Sequence, residues 1–90
     1  MRKVTKQMAD AFYNGRNMRV GNTEVRDGSI YLHGNKIAFM DSEGIWVSTS
    51  GWNTRTTFER LNGLHGCHVF QKNYVVYLNG NEWYGGWIKL

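Results

Sequence analysis

The stretch Asp27-Gly28-Ser29-Ile30-Tyr31-Leu32-His33-Gly34-Asn35-Lys36-Ile37-Ala38-Phe39-Met40 decides the fold class. Apolar and polar side chains alternate along Ile30-Tyr31-Leu32-His33, the period of a strand with one face on a core. Asp27-Gly28 before it is a tight hairpin turn, since both residues tolerate the left-handed backbone that a two-residue reversal needs. Gly34-Asn35 after it reads as the next turn, with a strand over residues 36–40. Upstream, residues 18–26 read as a strand that breaks at Gly21-Asn22. Downstream, Asp41-Ser42-Glu43-Gly44 forms a longer turn into a strand over residues 45–49. The result is an antiparallel meander of about four strands.

Helical spacing flanks this meander. Val4, Met8, Ala11 and Phe12 form an apolar stripe that Asn14-Gly15 ends, which predicts a helix over residues 2–14. Thr56-Thr57-Phe58-Glu59 fits a capping box, with Thr56 accepting from the backbone and Glu59 reaching back; Asn53 is the other candidate start. That short helix carries Phe58 and Leu61 and stops at Asn62-Gly63. Three further strands follow: residues 67–72, residues 74–79 after a Lys72-Asn73 turn, and residues 82–89 after Gly80-Asn81. The expected fold is α+β: one small domain with an N-terminal helix, an antiparallel meander, a short helix and a further hairpin or meander. An internal repeat at an offset of 46 is visible, since Tyr31-Leu32-His33-Gly34-Asn35 matches Tyr77-Leu78-Asn79-Gly80-Asn81. Each half follows a Phe-containing helix ending in Asn-Gly, which reads as a helix-plus-hairpin duplication; two hairpins sharing turn chemistry is the plainer alternative.

Composition bounds the function. Ninety residues make one domain with one small core, and 41% hydrophobic residues exclude intrinsic disorder. A single cysteine, Cys67, cannot form an internal disulfide, which points to a reducing cytosol. No apolar run is long enough for a signal peptide or a membrane helix, so no membrane partner is expected. The formal charge is +4, and the excess lies in residues 1–26. Arg2, Lys3, Lys6, Arg16 and Arg19 therefore form a candidate patch for phosphates or an acidic partner; a solvated helix face is the simpler account.

Strand alternation assigns the remaining candidates. Ile30, Leu32, Val76, Leu78, Ile45 and Val47 fall on core faces, leaving Tyr31, His33, Tyr77 and Trp46 on the opposite face as an expected aromatic platform. Trp52 is placed differently, at a loop-to-helix junction within Gly51-Trp52-Asn53-Thr54-Arg55-Thr56-Thr57. Hydroxyls, helix-start amides and one guanidinium in a loop make a binding composition, with plain helix capping as its competitor.

Catalytic constellations are not evident. His65-Gly66-Cys67-His68 has too few ligands at useful spacing for zinc, and Cys67 and His68 would point to opposite strand faces. A Cys67–His65 dyad lacks an orienting carboxylate. No phosphate-loop or dinucleotide motif occurs. The sequence therefore predicts a non-enzyme with no metal or cofactor.

Longer runs carry a family likeness. Trp46-Val47-Ser48-Thr49-Ser50-Gly51-Trp52-Asn53-Thr54-Arg55-Thr56-Thr57 is the most specific of them, with Arg60-Leu61-Asn62-Gly63-Leu64, Val20-Gly21-Asn22-Thr23 and Leu32-His33-Gly34-Asn35-Lys36-Ile37-Ala38. Together they resemble a family of small tailed-bacteriophage proteins, and the resemblance spans most of the chain. It implies a phage product acting in the host bacterial cytoplasm and brings no activity with it. Small phage proteins of this kind suggest a host-takeover or counter-defence inhibitor that binds a host or defence-system protein or a small nucleotide-like signalling ligand. Nucleic-acid binding through the basic helix and the aromatic face is the alternative, and a minor virion or assembly component is the next. A homodimer through free sheet edges is also expected.

Overall fold

In the computed structural model, which describes residues 1–90, the apolar stripe becomes helix α1, Lys3–Tyr13, with Thr5, Met8, Ala11 and Phe12 buried. The left-handed Gly15 (φ 68°) turns the chain out of the helix. Five strands follow: β1 (Met18–Val20), β2 (Thr23–Arg26), β3 (Ser29–Leu32), β4 (Asn35–Asp41) and β5 (Gly44–Val47). Helix α2 (Arg55–Leu61) leads to β6 (Val69–Lys72), β7 (Val75–Leu78), β8 (Asn81–Glu82) and β9 (Ile88–Lys89). Two antiparallel sheets result, one ordered β1-β2-β3-β4-β5-β9 and one ordered β6-β7-β8. The α+β expectation holds, and no helix is long and apolar enough to cross a membrane.

Cross-strand register sorts the larger sheet into two faces. Met18, Val25, Ile30, Ala38, Val47 and Ile88 stand opposite one another in a single apolar row across all six strands. The helices cover this face, and the core runs as one cluster from Met8 and Phe12 through Ile30 and Val47 to Leu61, Val76 and Trp83. A bulge in β4 opposite Ile30 and Tyr31 lets two consecutive residues, Ile37 and Ala38, both face inward. It also returns Phe39 to the outer face that Lys36 occupies.

The offset of 46 is a structural repeat. Thr23–Arg26, Ser29–Leu32 and the start of β4 at Asn35 fall on Val69–Lys72, Val75–Leu78 and Asn81. Thr23 pairs with Leu32 as Val69 pairs with Leu78, and buried Ile37 corresponds to buried Trp83. Even the closing bond repeats: His33 N–H donates to Asn22 O at 2.9 Å, and Asn79 N–H to His68 O at 2.8 Å.

Several boundaries differ from the sequence reading. The turn centres are His33-Gly34, Asn73-Tyr74 and Asn79-Gly80, one residue from the expected places, because the backbone puts both central residues at positive φ. Thr54, not Thr56, caps α2, its hydroxyl accepting from Thr57 N–H at 3.2 Å. Glu59 is thereby freed from the capping box and reaches across to α1. The expected strand over residues 82–89 is two short strands in different sheets. Gly85, at φ 86°, breaks it, and its carbonyl accepts from Thr49 N–H (3.0 Å) and Ser48 Oγ (2.8 Å).

A buried cation ties the layers. Arg60 is 4% exposed; its Nε donates to Thr23 Oγ1 (3.0 Å) and its Nη1 to Thr5 Oγ1 (3.2 Å) and to the Glu59 carboxylate. Glu59 also accepts from the Thr5 hydroxyl and from Arg2 N–H. Burial works to raise the Glu59 pKa, but the bonds from Thr5, Arg2 and Arg60 outweigh it and hold the carboxyl below its ordinary value.

Candidate functional site

Two tight reversals shape one cavity. The His33-Gly34 turn brings Leu32, His33, Asn35 and Ile37 to the end of the first hairpin. After β5, Ser50 and Gly51 are both left-handed (φ 53° and 81°), and Trp52 N–H donates to Thr49 O at 2.9 Å. This reversal carries Trp52 over the hairpin end. Between them lies a cavity of about 480 Å³ lined by these four residues with Thr49, Trp52, Thr54, Thr56 and Thr57. That volume is in the range of small-molecule sites.

The lining has a graded chemistry. Leu32, Ile37, Thr49 and Thr57 are buried and make the floor, whereas Trp52 is 57% exposed at the rim. Thr54 and Thr57 hydroxyls lie 2.9 Å apart and are committed to capping α2. Thr49 and Thr56 also line the space; the Thr49 hydroxyl is turned toward Gly85. The Asn22 amide nitrogen lies 3.1 Å from His33 Nδ1 and holds that ring. On the far side of Thr49 the wall is the Gly85 backbone, packed so closely that a Cβ there would stand 2.3 Å from Thr49 Oγ1. The cavity thus offers a largely apolar floor with an indole, an imidazole, an amide and threonine side chains around it.

Five of the residues singled out from sequence converge here: His33, Trp52, Thr54, Thr56 and Thr57. Asn53 and Arg55 are exposed beside the cavity and do not line it. The aromatic platform does not form as expected. Tyr31 and Trp46 belong to the larger sheet and Tyr77 to the smaller, because the chain between β5 and β6 leaves the first sheet altogether. Tyr77 stacks on Phe70, with centroids 5.1 Å apart. His33 occupies a turn and so leaves the face of Tyr31 for the cavity. The basic patch is likewise divided. Arg16 pairs with Asp10; Arg2, at the N-cap, and Lys3 and Lys6 of α1 are exposed on the helix, whereas Arg19 joins the outer face of the larger sheet. Cys67 is buried, and burial pushes its thiol up to about 11, so it stays protonated at neutral pH.

Sequence reading missed Asn35, Thr49, Leu32 and Ile37 as cavity residues. Leu32 and Ile37 read only as core, and nothing local places Thr49 opposite a hairpin turn. A match to the family model described as Kyanoviridae Gp96 protein covers residues 1–88. The chain therefore belongs to this family of tailed-phage proteins. No curated protein and no solved structure matches it.

Proposed function

We propose that this phage protein acts by binding, and that its cavity captures a small, flat, hydrogen-bonding ligand of nucleoside size. Withholding such a ligand from the infected cell would make it a host-takeover or counter-defence factor. One observation carries the reading: an exposed indole is folded over a preformed apolar floor, and the polar residues around it, His33, Asn35 and the threonines, are neutral. Flat heterocycles stack on indole and satisfy hydroxyls, amides and imidazole at their edges. No cation lines the cavity, so the base and sugar of a nucleotide suit it better than its phosphate.

Isothermal titration with adenosine and guanosine tests the proposal. Binding of at least one, weakened about tenfold by Trp52→Ala, is the expected result, as for loss of one stacking platform. Heats indistinguishable from dilution for both nucleosides, or equal affinity in Trp52→Ala, would overturn it.

A further inference from the structure

The outer face of the larger sheet is organised in two rows that no stretch of sequence displays. Register places Arg19, Glu24, Tyr31 and Lys36 opposite one another across four strands. Beside that row, Arg26, Ser29, Phe39, Trp46 and Lys89 stand opposite one another across five. The aromatics are in contact and flanked by cations. Phe39 stacks on Trp46 (6.1 Å, 8°) and meets Trp87 edge-on (5.0 Å). Arg26 lies 4.6 Å from the Tyr31 centroid, and Lys36 lies between Tyr31 (5.8 Å) and Phe39 (5.7 Å). No helix covers this side. Tyr31, Phe39 and Trp46 are partly buried and Trp87 is 46% exposed. Trp46 Nε1 is the one buried side-chain donor that finds no acceptor.

We infer that this face binds single-stranded nucleic acid, with bases stacking on Tyr31, Phe39 and Trp87 and phosphates meeting Arg19, Arg26, Lys36 and Lys89. Four cations against two acids, Glu24, which is itself paired with Arg26 at 3.6 Å, and Asp41 at the end of β4, leave the face with half of the chain's formal +4. Alternation of ring faces with cations at strand spacing is what a stacked, charged strand requires. An acidic protein would meet the same cations but would not need flat rings beside them. The site is separate from the cavity and does not depend on it.

Fluorescence anisotropy with a labelled oligothymidylate of about a dozen residues is the test. Four phosphate contacts predict that affinity falls roughly 50-fold between about 50 and 200 mM salt. Tyr31→Ala should weaken binding about tenfold. Tyr77→Ala, the same residue at the equivalent place of the second meander, should leave it unchanged. Lys36→Gln with Lys89→Gln should flatten the salt slope by about half. Circular dichroism melts confirm that each variant is folded. No binding at about 100 µM protein in low salt would refute the inference. So would equal sensitivity to Tyr31→Ala and Tyr77→Ala, or displacement by polyglutamate but not by unlabelled oligothymidylate.

Discussion

The two meanders share register, turn geometry and core positions, yet one has been built upon and the other has not. Strands β2, β3 and β4 are extended by β1 on one side and by β5 and β9 on the other, and carry Trp52 over their hairpin end. Strands β6, β7 and β8 remain a bare three-stranded sheet. Equivalent positions diverge accordingly. Glu24, Arg26 and Lys36 on the outer side of the first correspond to Phe70, Lys72 and Glu82 in the second. The common frame supplies a stable hairpin; the added strands and the loop between sheets supply surface chemistry.

Anchoring separates the two most sharply. The first meander is tied at Thr23 to the buried Arg60, whereas the equivalent Val69 packs its side chain in the core and is hydrogen-bonded through its backbone to the Asn62 side chain (2.6 and 2.9 Å). Arg60→Ala removes the guanidinium that bonds Glu59, Thr5 and Thr23 and leaves the buried Thr23 hydroxyl unpaired, and should cost about 3 kcal/mol in urea unfolding. Asn62→Ala removes two neutral hydrogen bonds and should cost about 1–2 kcal/mol. Equal losses would erase the distinction.

Acidity probes the same anchor. The Glu59 pKa lies below its unfolded value, so the stability it contributes is complete above the ordinary glutamate pKa and is lost as pH falls through the lowered one. Glu59→Gln should therefore flatten the loss of thermal stability below about pH 4.5. An unchanged acid limb would show that other carboxylates govern it.

The smallest effect concerns the turns. Asp27-Gly28 in the first meander corresponds to Asn73-Tyr74 in the second, where Tyr74 sits at φ 66° and 97% exposed. Tyr74→Gly relieves a left-handed side chain that packs on nothing, and should raise stability by up to about 1 kcal/mol. A melting temperature that drops instead would mean that Tyr74 makes a contact the fold does not display.

These contrasts also show what the sequence could reveal. Strand alternation and Asn-Gly or Asp-Gly turns made the meander, the helix stripe and the repeat legible, since each is a local pattern. Trp52, Thr54, Thr56 and Thr57 were legible because loop aromatics beside hydroxyls stand out. The sheet to which Tyr77 belongs was not, because the departure of the chain after β5 depends on long-range packing. Phe39 joins Lys36 only through the bulge, and nothing near Arg60 in the sequence marks it as buried, because Thr5 and Thr23 close on it from distant parts of the chain. Charge counted along the chain likewise concealed Lys36 and Lys89, which pairing brings to Arg19 and Arg26.

The four tryptophans give each region its own reporter. Indole N–H resonances followed by NMR while adenosine or guanosine is added test the central claim most directly. The account predicts that the Trp52 signal moves and saturates for at least one nucleoside while the buried Trp83, bonded to Gly86 O at 2.8 Å, stays still. A Trp52 signal unmoved by both nucleosides, or one that shifts only together with Trp83, would contradict a preformed cavity on the first meander.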